Sequence, residues 1–385
     1  MSAIDEVATA VLRVSADGAD WRDVSPPLQS VDVEDHDRLT DKATVVLDDD
    51  TGLLAHASFE GLRVRVALGW HQEQRTIFEG DVTSSRVFAH PGGQRIELTA
   101  LDFTNRMALR PFEPMEWQPG ERLSEVLKRI VQRADYHLTP GQIEPANDLV
   151  QDERRPARSA NVNEWEFVLQ QAQRQGCLAF AEFDGVDTSK FSFVPIAVVA
   201  SAKPIGTLRY CRGVGELIEF EYERISSGAL PVRAADSIDP TTGKPVTAPA
   251  PTPPPRPELP PPSTARHKDL GESRRASLEA LTELAAAAST ALRQPTERIS
   301  GEAAGTEAET ADRVTVDPTR VLGLNGHGVA TGNVLLRAKS VVRISGVAPW
   351  AEGDWYLTKV NHVYTRERAN NRTRSSYFTK FTATR

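Results

Sequence analysis

Cysteine, methionine and aromatic residues are what this 385-residue chain has least of: two, three and 6% respectively. Cys177 and Cys211 cannot build a disulfide framework or a cysteine-based zinc site. Basic charge is not in excess either, with 45 Lys and Arg against 53 Asp and Glu and a net of −8, which argues against nucleic-acid binding by the whole protein. No apolar run approaches the roughly 20 residues of a membrane helix. The longest, residues 196–202, is far too short, so no membrane span is expected. The first ten residues carry Asp5 and Glu6 where a secretory signal needs bases and then an apolar run, so synthesis in the bacterial cytoplasm without a signal peptide is expected.

Catalytic signatures are missing as well. None of His36, His56, His71, His90, His137, His267, His327 and His362 falls into His-Glu-x-x-His or another metal spacing. There is no Gly-x-Ser-x-Gly elbow and no P-loop. Gly323, Gly326 and Gly328 do not match the dinucleotide fingerprint and read as a loop between strands. Asp48, Asp49 and Asp50 lack the alternating ligands of a Ca²⁺ loop and read as part of a turn. The expectation is a chain with no catalytic residue, no metal, no cofactor and no small-molecule substrate.

What is present is patterned. Over residues 1–112, Leu62, Val64, Val66 and Leu68 alternate with Arg63, Arg65 and Ala67, the period of a half-buried strand. Ile96, Leu98 and Ala100 alternate likewise, and His90-Pro91-Gly92-Gly93 is a turn signal before them. Such spacing predicts a small antiparallel barrel or sandwich. Over 113–204 the period changes. Leu123, Val126, Leu127, Ile130, Val131 and Ala134 follow a helical face. Asn163 can cap a second helix with Glu166 at its third position, and Val162 and Phe167 stand where a hydrophobic staple would sit. Trp165, Val168, Leu169 and Ala172 share a face, and Gly176 is a stop. Residues 178–183 and 191–199 read as strands, giving an α/β region. Residues 205–239 and 313–385 return to β, with Ile218, Phe220 and Tyr222 alternating against glutamates. The closing hairpin loosely mirrors residues 80–102, a hint of two related barrels.

Two features are uneven. Eleven of 26 prolines lie between Pro240 and Pro262, which predicts an extended, semi-rigid stretch. A helical alanine-rich run, 272–293, and a polar stretch to 312 follow. The β segments on either side are assigned to one split barrel, so the ends of this 240–312 excursion should lie close together. Charge is polarised too: residues 1–60 carry −10 and residues 337–385 carry +7. Arg366, Arg368, Arg372 and Arg374, interleaved with Tyr364, Tyr377 and Phe378, suit a protein interface or a nucleic-acid surface.

The run from Asn161 to Gly176, with Trp165 and Phe167, followed by the apolar strand to Phe183, resembles a motif of contractile-tail baseplate hub proteins. These comprise the phage late-control D family, phage baseplate hubs and the N-terminal part of VgrG spike proteins. Ser345-Gly346 with Gly353 through His362 is similar to that family's closing barrel hairpin, and Phe78 to Val82 with Ala100-Leu101-Asp102 is similar too. The resemblance implies a mainly β fold with an α+β insertion: two related antiparallel β-barrels, the second split in sequence, plus an α/β region. It implies a trimeric, pseudo-hexameric ring without catalysis, placed in the baseplate of a phage tail or phage-like injection particle. The implied partners are two further copies, the inner tail tube protein, other baseplate proteins and a spike carried on a separate chain.

Edge-strand pairing between copies is the expected means of assembly. The candidate interface residues are Leu62, Val64, Val66 and Leu68, with Trp355, Tyr356, Arg372, Arg374, Tyr377 and Phe378 in the last hairpin. The acidic N-terminal barrel should abut a basic C-terminal surface of the next copy. Asn163, Trp165, Glu166, Phe167, Gly176 and His362 are assigned structural roles. Two other classes are alternatives: a baseplate-associated peptidoglycan hydrolase, which needs an acid–nucleophile pair not evident in the sequence, and a carbohydrate-binding adhesin.

Overall fold

A computed structural model of the protein describes residues 7–71, 73–90, 93–112, 117–150, 162–211, 215–224, 232–238, 245–248, 272–290, 296–300, 324–369 and 372–385. The chain opens with strands β1 (Ala8–Ser15), β2 (Arg22–Asp23), β3 (Leu28–His36), β4 (Lys42–Asp49), β5 (Arg63–Trp70), β6 (Glu73–His90) and β7 (Gly93–Leu101). Helices α1 (Thr104–Ala108) and α2 (Leu123–Val131), strand β8 (Leu138–Ile143), helix α3 (Glu164–Gln175), strands β9 (Cys177–Phe183) and β10 (Ser189–Pro195) and helix α4 (Ile196–Ala200) follow. Then come β11 (Thr207–Arg209), β12 (Leu217–Arg224), β13 (Val232–Ile238), β14 (Pro245–Ala248), helix α5 (Glu272–Thr290) and β15 (Thr296–Ser300). β16 (Leu324–Thr331), β17 (Val341–Ser345), β18 (Gly353–Ala369) and β19 (Arg372–Thr384) close the chain.

The fold is mainly antiparallel β. One large sheet runs β12-β16-β19-β18-β3-β4-β7-β6-β5-β1-β2, with β17 joining β18 to β11. It wraps around two separate cores. Alternation along β1, β3, β4, β5 and β7 sends Leu12, Val31, Val45, Val66 and Leu98 into the first. Leu208, Leu217, Val342, Ile344, Trp355 and Phe381 fill the second. The two barrel-like halves share the long β18–β19 hairpin: Tyr364 and Tyr377 belong to the first core, Trp355, Leu357 and Phe381 to the second. A register shift between Leu357 and Lys359 makes this possible. One extra residue in a strand reverses which face is buried, so Trp355 and Leu357 are buried before it and Val360, His362 and Tyr364 after it.

The α/β region is a three-stranded sheet, β8-β10-β9, covered by α2 and α3. In α3 the Asn163 side chain accepts from the Glu166 amide at 2.8 Å and Glu166 accepts from the Asn163 amide at 3.2 Å, a reciprocal cap. Gly176 ends the helix in the left-handed region, φ 61°. Phe167 stacks on Phe112 at 4.0 Å, and Trp165 meets Phe191 edge-on at 6.5 Å.

Three sequence expectations change. The strand expected over 191–199 stops at Pro195 and continues as α4, because proline donates no ladder hydrogen bond and suits a helix start. Gly326 and Gly328 lie in β16 and not in a loop. A Cβ at Gly328 would stand 2.2 Å from the Phe381 ring, and one at Gly326 2.7 Å from Phe220. Glycine here admits aromatic rings against the backbone. Val232–Ile238 pairs with β14 and β15 in a small sheet of its own and not with the second barrel. Arg224 and Leu324 are cross-strand partners, so the chain leaves and rejoins the main sheet at adjacent positions. Apart from β14, the proline-rich stretch 240–262 lies outside the described residues.

Candidate functional site

The most concentrated chemistry in the molecule is a buried ionic junction. The segment between β16 and β17 brings Arg337 and Lys339 against Asp35 near the end of β3. Arg337 Nε and Lys339 Nζ each stand 2.5 Å from an Asp35 carboxylate oxygen. Arg337 also donates to the Ile77 carbonyl on β6 at 3.0 Å, and Lys339 to the His36 carbonyl at 3.1 Å. From the α/β region, Glu182 on β9 lies 3.3 Å from Lys339 Nζ, and the Phe180 ring sits beneath it at 5.0 Å. Asp41 is 3.9 Å away on the far side, and its amide donates to Asp102 at 2.7 Å. Both barrel halves and the α/β region therefore meet at one ammonium group.

Lys339 adopts φ +64°, a left-handed conformation costly for a side-chain-bearing residue. The ion pairs around it hold the backbone there. Burial alone would raise the Asp35 carboxyl, but Lys339 and Arg337 hold it far below its usual range. The same burial opposes charge on Lys339, and Asp35 reverses this and raises it. Asp41 is pushed well above the ordinary carboxylate range by burial, reinforced by Asp35 and Asp102. Burial raises Asp102 to about 6, against hydrogen bonds from Thr104 and the Asp41 amide that favour its charged form.

Further ties join the same parts. The Arg65 guanidinium lies 4.2 Å from the Trp21 ring and 5.0 Å from Phe183, and pairs with Glu79 at 3.4 Å. Trp70 Nε1 donates to the Gly332 carbonyl at 2.7 Å. His362 is buried in the shared hairpin, with Nδ1 2.7 Å from the Tyr377 hydroxyl and Nε2 3.0 Å from the Leu336 carbonyl. Burial, and then the charge on Arg337, lower its pKa to about 4. The ring is neutral at neutral pH, donating from Nε2 and accepting at Nδ1.

The expected interface residues divide. β5 lies between β1 and β6 and offers no free edge, and Val64, Val66 and Leu68 are core side chains. Leu62 is half-buried against the same core. Trp355, Tyr356 and Tyr377 are buried within the chain. None of Val64, Val66, Leu68, Trp355, Tyr356 and Tyr377 can form the surface of another contact, because alternation turned them inward. Phe378 and Arg374 are exposed, and the Arg372 side chain lies outside the described residues. Much of the charge polarity is satisfied within one chain: Glu34 pairs with Lys359 at 2.6 Å and Lys42 at 2.5 Å, and Asp32 accepts from Asn361. That shortens the list of charges left for a neighbouring copy. Sequence reasoning missed the junction entirely, since Asp35 and Lys339 are 304 positions apart and neither sits in a local motif.

Among the described residues no group of three or more His, Cys, Asp or Glu is placed to hold a metal ion, and no helix is long and apolar enough to cross a membrane. No protein-family model matches the chain, and no curated protein does. Solved structures do. A tail protein from Neisseria meningitidis MC58 matches with TM-score 0.61 and 11% identity over 98% of this chain and 97% of its own. The 43 kDa tail protein of prophage MuSo2 from Shewanella oneidensis matches at 0.59 and 11%, over 98% of both chains. An Escherichia coli component of the type VI secretion system, itself similar to bacteriophage T4 tail proteins, matches at 0.52 and 10%, over 93% of this chain and 73% of its own. The chain has the fold of these tail and secretion-system proteins along nearly its whole length.

Proposed function

We propose that this chain is a structural hub of the baseplate in a phage tail or phage-like contractile injection particle. Three copies form a ring that joins a hexameric inner tube to a trimeric spike, with other baseplate proteins around it. The observation that carries this reading is the near-complete overlap, end to end, with two phage tail proteins. The architecture supports it physically. Each chain holds two barrel-like halves around separate cores. Three such chains present six similar units, so covalent duplication matches a threefold assembly to a sixfold one.

The ionic junction fits a scaffold. Arg337, Lys339, Asp35 and Glu182 fix the three parts of the chain and leave the ammonium surrounded by its own partners. In this reading the protein is not an enzyme and needs no cofactor.

The test is the oligomeric state of the purified chain by light scattering, with negative-stain averaging. A trimer whose projection is a ring of six lobes is expected. A chain that stays monomeric at tens of micromolar, alone and with a cognate tube protein, overturns the proposal.

A further inference from the structure

β6 carries two neighbours over only part of its length. β5 accompanies it as far as Asp81, and the Val82 amide still donates to Leu62. From Thr83 to His90 it pairs with β7 alone among the described residues. Every side chain from Thr83 to Ala89 is exposed. Val87 and Phe88 are 47% and 44% exposed, and as neighbours on a strand they point to opposite faces. An apolar side chain on each face, beside an open backbone edge, is the pattern of a strand that expects a partner.

A second open edge lies elsewhere on the surface. β12 is the terminal strand of the main sheet; it pairs with β16, and among the described residues its outer edge is otherwise touched only at Leu217, which bridges Tyr210. Phe220 and Tyr222 face the second core, while Ile218 is 42% exposed and Glu219, Glu221 and Glu223 line the outer face.

We infer that the outer run of β6 pairs edge to edge with β12 of a neighbouring copy. This rests on the trimeric reading above and names the surfaces that make it. The lengths are similar, since among the described residues β12 is open on its outer edge from Ile218 to Arg224 and the open run of β6 spans 83–90. The charges are complementary. Arg86, 4.0 Å from Glu97 of its own chain but with its side chain 70% exposed, and the exposed Arg95 on β7 would face three glutamates on β12. Apolar side chains stand on both edges, Val87 and Phe88 on one and Ile218 on the other. Backbone hydrogen bonds supply the affinity in such strand addition, and side chains fix the register. The two edges are different surfaces of one chain, so the contact is heterologous and closes only as a ring or runs on as a filament.

The pairing is antiparallel: with β12 centred on the open run, Arg86 then stands opposite Glu221. In a Cys211→Ser background, the Arg86→Cys/Glu221→Cys variant should form covalent dimers and trimers on mild oxidation, read on a non-reducing gel. Neither single variant should. Separately, Arg86→Glu should lower trimer yield at least tenfold, and the double variant Arg86→Glu/Glu221→Arg should restore it. Trimers by light scattering with neither the crosslink nor the rescue overturn this inference and leave the trimeric reading standing. A wild-type chain that is monomeric overturns both.

Discussion

Lys339 carries an unusual share of the molecule's internal order. Its ammonium is buried beside Asp35 and within reach of Glu182, and its backbone is left-handed. Replacing it by methionine keeps the bulk and removes the charge, leaving Asp35 buried with Arg337 as its one close cation among the described residues. Breaking a buried pair from one side costs about 3–5 kcal/mol. Lys339→Met should therefore lower the unfolding midpoint in urea by that equivalent, while Lys42→Met, at a more exposed pair, should cost under about 1 kcal/mol. Equal losses at the two sites would refute the special role of the junction. His362 makes a second residue-scale prediction. Its folded pKa of about 4 lies below the ordinary 6.5. The unfolded chain takes up this proton first as pH falls, so stability is full above about 6.5 and is lost on the way down through 4. Asp41 and Asp102 act with the opposite sign, since burial raises both and acid favours their folded form. The His362 contribution is isolated by comparison with His362→Gln. The variant should be less stable at pH 7, and the gap should close by up to about 3 kcal/mol at pH 4. A gap independent of pH would show that His362 titrates normally.

Among elements, β16 shows how close packing dictates a residue type. Gly328 faces the Phe381 ring at a distance where no Cβ fits, and Gly332 lies just as close to Tyr377. Gly328→Ala should cost about 1–3 kcal/mol through displacement of the ring, measured as a lower melting temperature. The paired change Gly328→Ala/Phe381→Leu should recover part of it. Helix α3 was legible in advance because its signals are local: Asn163, Glu166 and Gly176 sit within fourteen positions and their reciprocal bonds form as the spacing implies. The alternating strands were legible for the same reason. β16 was not, since three glycines read as a loop until the facing rings of Phe220, Trp355 and Phe381 are in place. The inward turn of β5 was half legible. Its period was plain, but β1 on its second side, which closes the edge, is a long-range pairing that no periodicity reports. The ionic junction was invisible for the same reason, carried to its limit.

For the whole molecule, the cross-strand pairing of Arg224 with Leu324 brings the two ends of 225–323 together, so the main sheet should close without that segment. Replacing that segment by an Asn-Gly turn should leave both cores folded, with circular dichroism and melting temperature within a few degrees of the full chain. Loss of cooperative unfolding would mean that the segment supports the barrels. The β18–β19 hairpin has the opposite standing. Its seventeen- and thirteen-residue strands run through both cores with one register shift, between Leu357 and Lys359, and β3, β16 and β17 are hydrogen-bonded to its flanks. A twist applied to one half should therefore pass into the other through continuous covalent backbone and a ladder shifted at a single point. The hairpin should act as a beam between the two halves, carrying torque from one to the other and yielding by rupture of its strands sooner than by bending between the cores.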